Sequence, residues 1–370
     1  MTSSLCRLAF FFLASLTSFF LIASPAAAGG QGFARSGVLP LDRALSPPRF
    51  AGVRVGAIEL PEPDELSDCG WQDIVTNDTL RDTADLYAPL IPNGKLAEYE
   101  YAVPVVVVLQ GAQVDKEQYS ILGKLLAEFG FITVIPNSVR TLPLPFGTGL
   151  YSDVQVVPRA IAAVECEAGE TDSPIYGIAD TDTVGAVGHS LGGAAVLYAA
   201  ADVCVIGFCE GCLNPYGCPG VFERPGALKA VAVYGTNLVP PPPAPPIVIQ
   251  LPYDGSIPIA FLSGSVDGIS TPDETEATYD TVPPVKSLVS VVDANHYGIN
   301  DENNPVGAQP DLLAPGLPQR RGARRIAQTI ALWLRWHLTD DLLAEDWFTN
   351  AGASLDGVVV VDDLDLVGGP

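Results

Sequence analysis

Apolar residues in this chain fall into short β-branched runs separated by stretches of helical period, from about residue 50 to residue 338. Val103–Leu109 reads VPVVVVL and carries no polar side chain, the pattern of a parallel strand covered on both faces. Comparable runs predict strands at Val53–Leu60, Thr83–Ala88, Phe131–Ile135, Thr183–Val187, Ala230–Tyr234, Ile257–Leu262 and Lys286–Val292. Helices are predicted between them. Asp115 and Gln118 have capping-box spacing, Tyr119, Leu122, Leu126 and Phe129 follow at helical spacing, and Gly130 supplies a stop. Pro158 suits a first helical turn that continues through Val164, and Leu191–Ala201 is rich in alanine. Ala323, Ile326, Ala327, Ile330, Trp333, Leu334 and Leu338 form one apolar stripe on a closing helix. Alternating strands and helices predict an α/β fold: a mostly parallel sheet of about eight strands with helices on both faces.

The ends of the chain differ from this middle. Arg7 is the only charge in the first 30 residues, Leu8–Leu21 is almost wholly apolar, and Ala26-Ala27-Ala28 offers small residues for cleavage. Residues 1–28 are therefore expected to be a signal peptide cut after Ala28, which implies a secreted or periplasmic protein. The alternative is an uncleaved anchor, but the run is shorter than the roughly 20 apolar residues of a membrane span. Cys6 precedes the run and is badly placed for lipid attachment. No later segment has the length and apolarity to cross a bilayer. Residues 29–50, rich in Gly and Pro, read as a lead-in, and 51–348 as one catalytic domain. That domain holds a Cys-rich insertion at 203–228, expected at the end of the sheet away from the site, and a Pro-rich loop at 236–256. Residues 349–370 form an acidic tail, either an added edge strand or a solvated segment. Its Asp362, Asp363 and Asp365 lack the spacing of calcium loops, so no metal site is expected there. Asn77-Asp78-Thr79 is a glycosylation site only in a eukaryotic secretory pathway.

Composition narrows the classes. With 48% hydrophobic and 17% charged residues the chain is not of disordered type. A formal net charge of −24 repels phosphate backbones, which excludes nucleic acid as an expected partner and favours solubility. Once the signal is removed, Cys69, Cys166, Cys204, Cys209, Cys212 and Cys218 remain. An exported chain with an even count is expected to form disulfides, and the pairing stays open. Zinc at the last four is the alternative. No feature sets an oligomeric state.

The candidate chemistry centres on Val184-Gly-Ala-Val-Gly188-His189-Ser190-Leu191-Gly192-Gly193. A Gly-x-Ser-x-Gly between a buried strand and a helix forces a sharp turn that exposes the serine at a helix N-terminus. Ser190 is thus the candidate nucleophile. A serine needs a base, and the base an orienting carboxylate. Of the three histidines, His189 is expected to be a buried support and His337 to pack on the closing helix. His296, on the loop after the last of these strands, is the candidate base. In chain order the acid lies between serine and base, and Asp267 follows the end of a strand in Ser263-Gly-Ser-Val-Asp267-Gly268. Asp254, Asp273 and Asp293 are the competitors. The oxyanion donors are expected to be the N–H groups of Leu191 and Ala112. Gln113 and Phe146 are candidate substrate contacts.

These segments together resemble one branch of the α/β hydrolases. Gln110-Gly111 after a strand, GHSLGG at 188–193, SGSVDG at 263–268, Ala294-Asn-His-Tyr-Gly298 and Leu332-Trp-Leu-Arg335 carry the likeness. So does Phe129–Pro136. The chain is similar to chlorophyllases, platelet-activating-factor acetylhydrolase-like enzymes and bacterial cutinases over roughly residues 80–345. The resemblance implies the α/β-hydrolase fold and a carboxylester hydrolase that works without metal or cofactor. It does not carry a substrate. Leu191 stands where chlorophyllases usually have Arg and the cutinases Met, and Ala112 where the cutinases have an aromatic residue. Dienelactone hydrolases share the fold but use Cys where this chain has Ser190.

The expected function is ester hydrolysis through an acyl-enzyme. Leu142, Leu144, Pro145 and Phe146 in loop 137–152, with the prolines of 236–256, suggest an ester with a hydrophobic part; residues 268–285 are expected to line the same cleft. Alternatives are a chlorophyllase-like or polyester hydrolase specifically, an acyltransferase using the same triad, and a non-catalytic binding protein on this fold.

Overall fold

A computed structural model describes residues 50, 52–62, 66, 69, 82–91, 102–142, 147–209, 211–214, 217–239, 248–351 and 357–366. The expected export signal, the lead-in up to residue 49, Asn77, Leu144, Pro145, Phe146 and the prolines of 240–246 lie outside the described residues.

Eleven strands and six α-helices are described. In chain order they are β1 (Val53–Glu59), β2 (Thr83–Pro89), β3 (Val103–Leu109), α1 (Ser120–Glu128), β4 (Ile132–Pro136), β5 (Val139–Leu142) and β6 (Gly147–Leu150). There follow α2 (Val156–Gly169), β7 (Ala179–His189), α3 (Leu191–Ala200), β8 (Leu228–Tyr234), β9 (Ile259–Gly264) and α4 (Pro272–Tyr279). The chain ends with β10 (Lys286–Val291), α5 (Gln319–Thr339), α6 (Leu342–Ala351) and β11 (Val359–Asp365). Nine strands form one sheet in the order β1-β2-β4-β3-β7-β8-β9-β10-β11, and β5 and β6 form a separate hairpin. The pairs from β4 through β10 are parallel, while β1, β2 and β11 run antiparallel to their neighbours. The fold is therefore mixed α/β with a large, mostly parallel sheet, as the alternating pattern implied.

The run in β3 explains why the sheet needs two covering layers. Val105, Val107 and Leu109 belong to one apolar cluster, and Val106 and Val108 to another. Residues of α2, α3 and α4 complete the first cluster, and residues of α1, α5 and α6 the second. Alternate side chains of one strand thus point into two cores, which a half-polar strand could not do.

Several local outcomes depart from expectation or decide between the alternatives it left. Asp115 caps a 3₁₀ turn at Lys116–Tyr119 by accepting the Glu117 N–H at 2.9 Å, and the α-helix starts only after it. Residues 268–285 hold α4, capped by a reciprocal Thr271–Glu274 box with Pro272 in the first turn. Loop 137–152 contains the β5–β6 hairpin. The acidic tail supplies β11: Val359 and Val361 are buried against the sheet, while Asp363 accepts from Tyr279 Oη at 2.9 Å.

The six cysteines pair as Cys69–Cys166, Cys204–Cys209 and Cys212–Cys218. The first spans 97 residues and ties the segment between β1 and β2 to α2. The other two are local staples in the insertion. Its base is held where Arg224 meets the Ala200 carbonyl and Asp202, and its Phe208 carbonyl accepts the Val154 N–H ahead of α2. No helix among the described residues is long and apolar enough to cross a membrane.

Candidate active site

β3, β7, β9 and β10 run in the same direction, so the segments that leave them emerge along one edge of the sheet. Gly111–Gln113, Ser190, Asp267 and His296 all lie on those segments. This is the edge where open parallel sheets place their sites.

Ser190 is the single residue between β7 and α3 and has φ 54° and ψ −122°. That is a sparsely populated, strained region for a residue with a side chain. The turn is tight because its neighbours are glycines with no room to spare. A Cβ on Gly188 would come within 2.3 Å of Gly193 Cα, and one on Gly192 within 2.3 Å of the Leu109 carbonyl oxygen. One on Gly193 would meet Thr236 Oγ1 at 1.9 Å. Ser190 N–H donates to the Tyr234 carbonyl at 3.0 Å, and its own carbonyl accepts from Thr236 Oγ at 3.1 Å. The serine is thus pinned to the end of β8 and stays partly exposed.

His296 and Asp267 meet at the same place. His296 Nδ1 lies 3.0 Å from Asp267 Oδ1 and 2.9 Å from Oδ2, and both residues are buried. Asp267 Oδ1 also accepts the N–H groups of Ile269 at 2.9 Å and Ser270 at 2.8 Å, which holds the carboxylate toward the ring. A carboxylate accepts only, so Nδ1 carries a proton and the lone pair of the neutral ring falls on Nε2, the tautomer a base requires. Gly235, with φ +57°, lies between the Ser190 anchors Tyr234 and Thr236. A Cβ there would stand 2.9 Å from Asp267 Oδ2 and 3.1 Å from His296 Nδ1. The end of β8 therefore touches all three candidate residues. No hydrogen bond joins Ser190 to His296 among the described residues; such bonds are often long before a substrate binds.

The competing carboxylates fall elsewhere. Asp254 is exposed and pairs with Arg224 at 3.7 Å. Asp273 is in the first turn of α4, and the Asp293 side chain packs by Gly316.

Leu191 is the first residue of α3, whose leading N–H groups have no intrahelical acceptor. Gly111–Val114 is a β-turn closed by Val114 N–H donating to the Gly111 carbonyl at 3.1 Å, with Gln113 at φ 60°. Ala112 is its second residue. A Cβ on Gly111 would lie 3.3 Å from Ser190 Cβ, which places this turn against the serine. Gln113 is engaged by the hairpin. Its N–H donates to the Leu150 carbonyl at 2.8 Å, its Oε1 accepts the Leu150 N–H at 3.3 Å, and its amide lies over Gly149.

His189 is buried beside the serine and links two loops. Gly111 N–H donates to Tyr119 Oη at 2.8 Å, and because the ring proton of His189 is on Nε2, facing a carbonyl, the phenol donates to His189 Nδ1 at 2.9 Å. Nε2–H of His189 donates in turn to the His296 carbonyl at 3.0 Å. Burial and the neighbouring His296 hold His189 well below the usual histidine range, so it stays neutral in this one tautomer. His337 packs against Trp333 and Trp336 with ring centroids 4.2 and 4.3 Å away, and burial lowers its pKa to about 4.

Tyr119, Gly235 and Asp311 were not singled out in the sequence. In the sequence Tyr119 stands only as an apolar helix position. Gly235 follows a strand, like many glycines, and Asp311 sits in a polar loop with no motif. Comparison of the chain with models of known protein families finds no match, and comparison with curated proteins finds none.

Proposed function

We propose that this chain is a serine carboxylester hydrolase of the α/β-hydrolase fold, acting through an acyl-enzyme. The observation that carries the reading is a strained serine at a strand–turn–helix, beside a buried Asp267–His296 pair in the tautomer a base requires. Ser190 Oγ attacks the ester carbonyl, and His296 Nε2 takes its proton and later passes it to the leaving alcohol. Asp267 orients the ring and stabilises the imidazolium. The N–H groups of Leu191 and Ala112 receive the oxyanion, each contributing about 3 kcal/mol to the transition state. Water then attacks the acyl-enzyme by the same proton route in reverse. The chain order Ser190, Asp267, His296 is that of α/β hydrolases.

A hydrophobic portion of the ester is supported by the loop that closes over this edge. The His296–α5 loop carries Val306, Leu312 and Leu313 at 99%, 91% and 50% exposure. Gly307 there approaches Gln113, and Leu313 approaches Gly268. Disulfides and a candidate signal at the N-terminus support action outside the cytoplasm. The test is turnover of p-nitrophenyl esters graded by acyl length. Ser190→Ala should abolish it, and unchanged turnover in that variant overturns the proposal.

A further inference from the structure

Asp311 lies in the loop between His296 and α5 and is buried, 5% exposed. Its Oδ2 accepts two backbone N–H groups, from His296 at 3.0 Å and Gly268 at 3.2 Å, and its Oδ1 accepts Leu313 N–H at 2.8 Å. Gly268 directly follows Asp267. One carboxylate thus bridges the residue that bears the imidazole and the residue next to the one that orients it. The contact leaves no slack, since a Cβ on Gly268 would lie 2.5 Å from Asp311 Oδ1. Asn304 holds the loop from behind: its Oδ1 accepts Asp311 N–H at 2.8 Å, and its Nδ2 donates to the Asp311 carbonyl at 3.2 Å. No salt bridge of the described residues includes Asp311.

We infer that Asp311 is a positioning residue of the proposed hydrolase, one that fastens the Asp267 and His296 loops to each other and lends a second uncompensated negative charge to the imidazolium. The inference rests on the Ser190–His296–Asp267 reading. An amide oxygen could accept the two N–H groups that meet at Oδ2, while the Leu313 N–H on Oδ1 calls for the second carboxylate oxygen. A buried carboxylate that no salt bridge of the described residues neutralises adds a field at the imidazole. Burial, then Asp311 and Asp267, hold Tyr297 above its ordinary range; burial, then Asp267 and Asp311, do the same for Tyr234. The ionisable groups facing His296 are Asp267 from the loop after β9, His189 from the end of β7, Tyr234 from β8, Tyr297 beside it and Asp311.

The experiment is an NMR titration of the imidazole ring protons in the full chain. Three histidines make assignment by single replacement direct. Asp311→Asn keeps an acceptor for the His296 and Gly268 N–H groups, gives up the one for Leu313 N–H, and removes the charge. It should lower the His296 midpoint by about one pKa unit. The acid limb of kcat/KM for p-nitrophenyl acetate should move the same distance to lower pH. Asn304→Ala loosens the same loop but keeps the charge, and should leave the midpoint in place while lowering kcat. If the Asn variant does not fold, Asp311→Ser tests the same loss of charge. An unmoved midpoint in the uncharged variant, or an equal shift in Asn304→Ala, overturns the role of Asp311. Because the titration does not depend on turnover, an inert wild-type chain would instead refute the hydrolase reading.

Discussion

Replacing Tyr119 by Phe removes one oxygen from the middle of a buried chain and changes little else in shape. That oxygen accepts from Gly111 N–H at 2.8 Å and donates to His189 Nδ1 at 2.9 Å. Both partners are buried, so both lose their hydrogen bond and gain no water. An unpaired buried group costs about 1–3 kcal/mol. Two such groups, less the easier burial of a ring without a hydroxyl, give a loss of roughly 2–4 kcal/mol. The effect on turnover arises because Ala112 follows Gly111 directly. A complete oxyanion donor is worth about a hundredfold or more in kcat, and a donor merely released from its support should lose part of that, about 10- to 50-fold. The substrate ground state does not need the donor in the same place, so KM should change by less than about threefold. Urea unfolding followed by tryptophan fluorescence reads the first figure, and steady-state kinetics on p-nitrophenyl acetate reads the second. A Phe variant with wild-type unfolding midpoint and wild-type kcat would refute the claim that this chain of hydrogen bonds supports the site.

Other outcomes follow from the same geometry. Gly235→Ala places a methyl group 2.9 Å from Asp267 Oδ2 at φ +57°, and should cut kcat at least about a hundredfold in a chain whose circular dichroism is unchanged. Cys69→Ser should destabilise by about 4–5 kcal/mol, because the lost bridge spans 97 residues; a urea midpoint matching wild type would contradict this. His337 is held near pKa 4, below its unfolded value of 6.5, so the unfolded state binds the proton first as pH falls. Its contribution is full above pH 6.5 and is lost as pH drops toward 4, on the order of 3 kcal/mol. His337→Leu should flatten that part of the stability–pH curve, though buried His189 leaves a slope of the same sign.

How much of this was legible in the sequence depends on whether the signal is local. β3 and the Ser190 turn announce themselves because a doubly buried strand excludes polar residues and a sharp turn demands glycines at adjacent positions. The end of the sheet was harder. β11 reads Val-Val-Val-Asp-Asp-Leu-Asp, and its aspartates suit both an edge strand and a solvated tail; pairing with β10 decides between them. The box Thr271-Pro-Asp-Glu274 was readable, yet α4 carries almost no apolar periodicity and passed for loop. The β5–β6 hairpin has short strands of mixed polarity, VRTL and GTGL, with no alternation to mark them. Three residues around the site carry no local mark at all. Gly235, Tyr119 and Asp311 matter because chain segments up to 70 residues apart close on them, as Tyr119 meets His189. Disulfide pairing is of the same kind: spacing left it open, and the meeting of Cys69 with α2 sets it.

The most direct test of the account is reaction of the purified chain with a fluorophosphonate, followed by mass spectrometry of the peptide that contains Gly188–Gly193. The account predicts one adduct per chain, on Ser190, with ester turnover lost in step, and no adduct in His296→Ala within the same time. Full turnover with Ser190 unlabelled, or labelling elsewhere that abolishes activity, would contradict it.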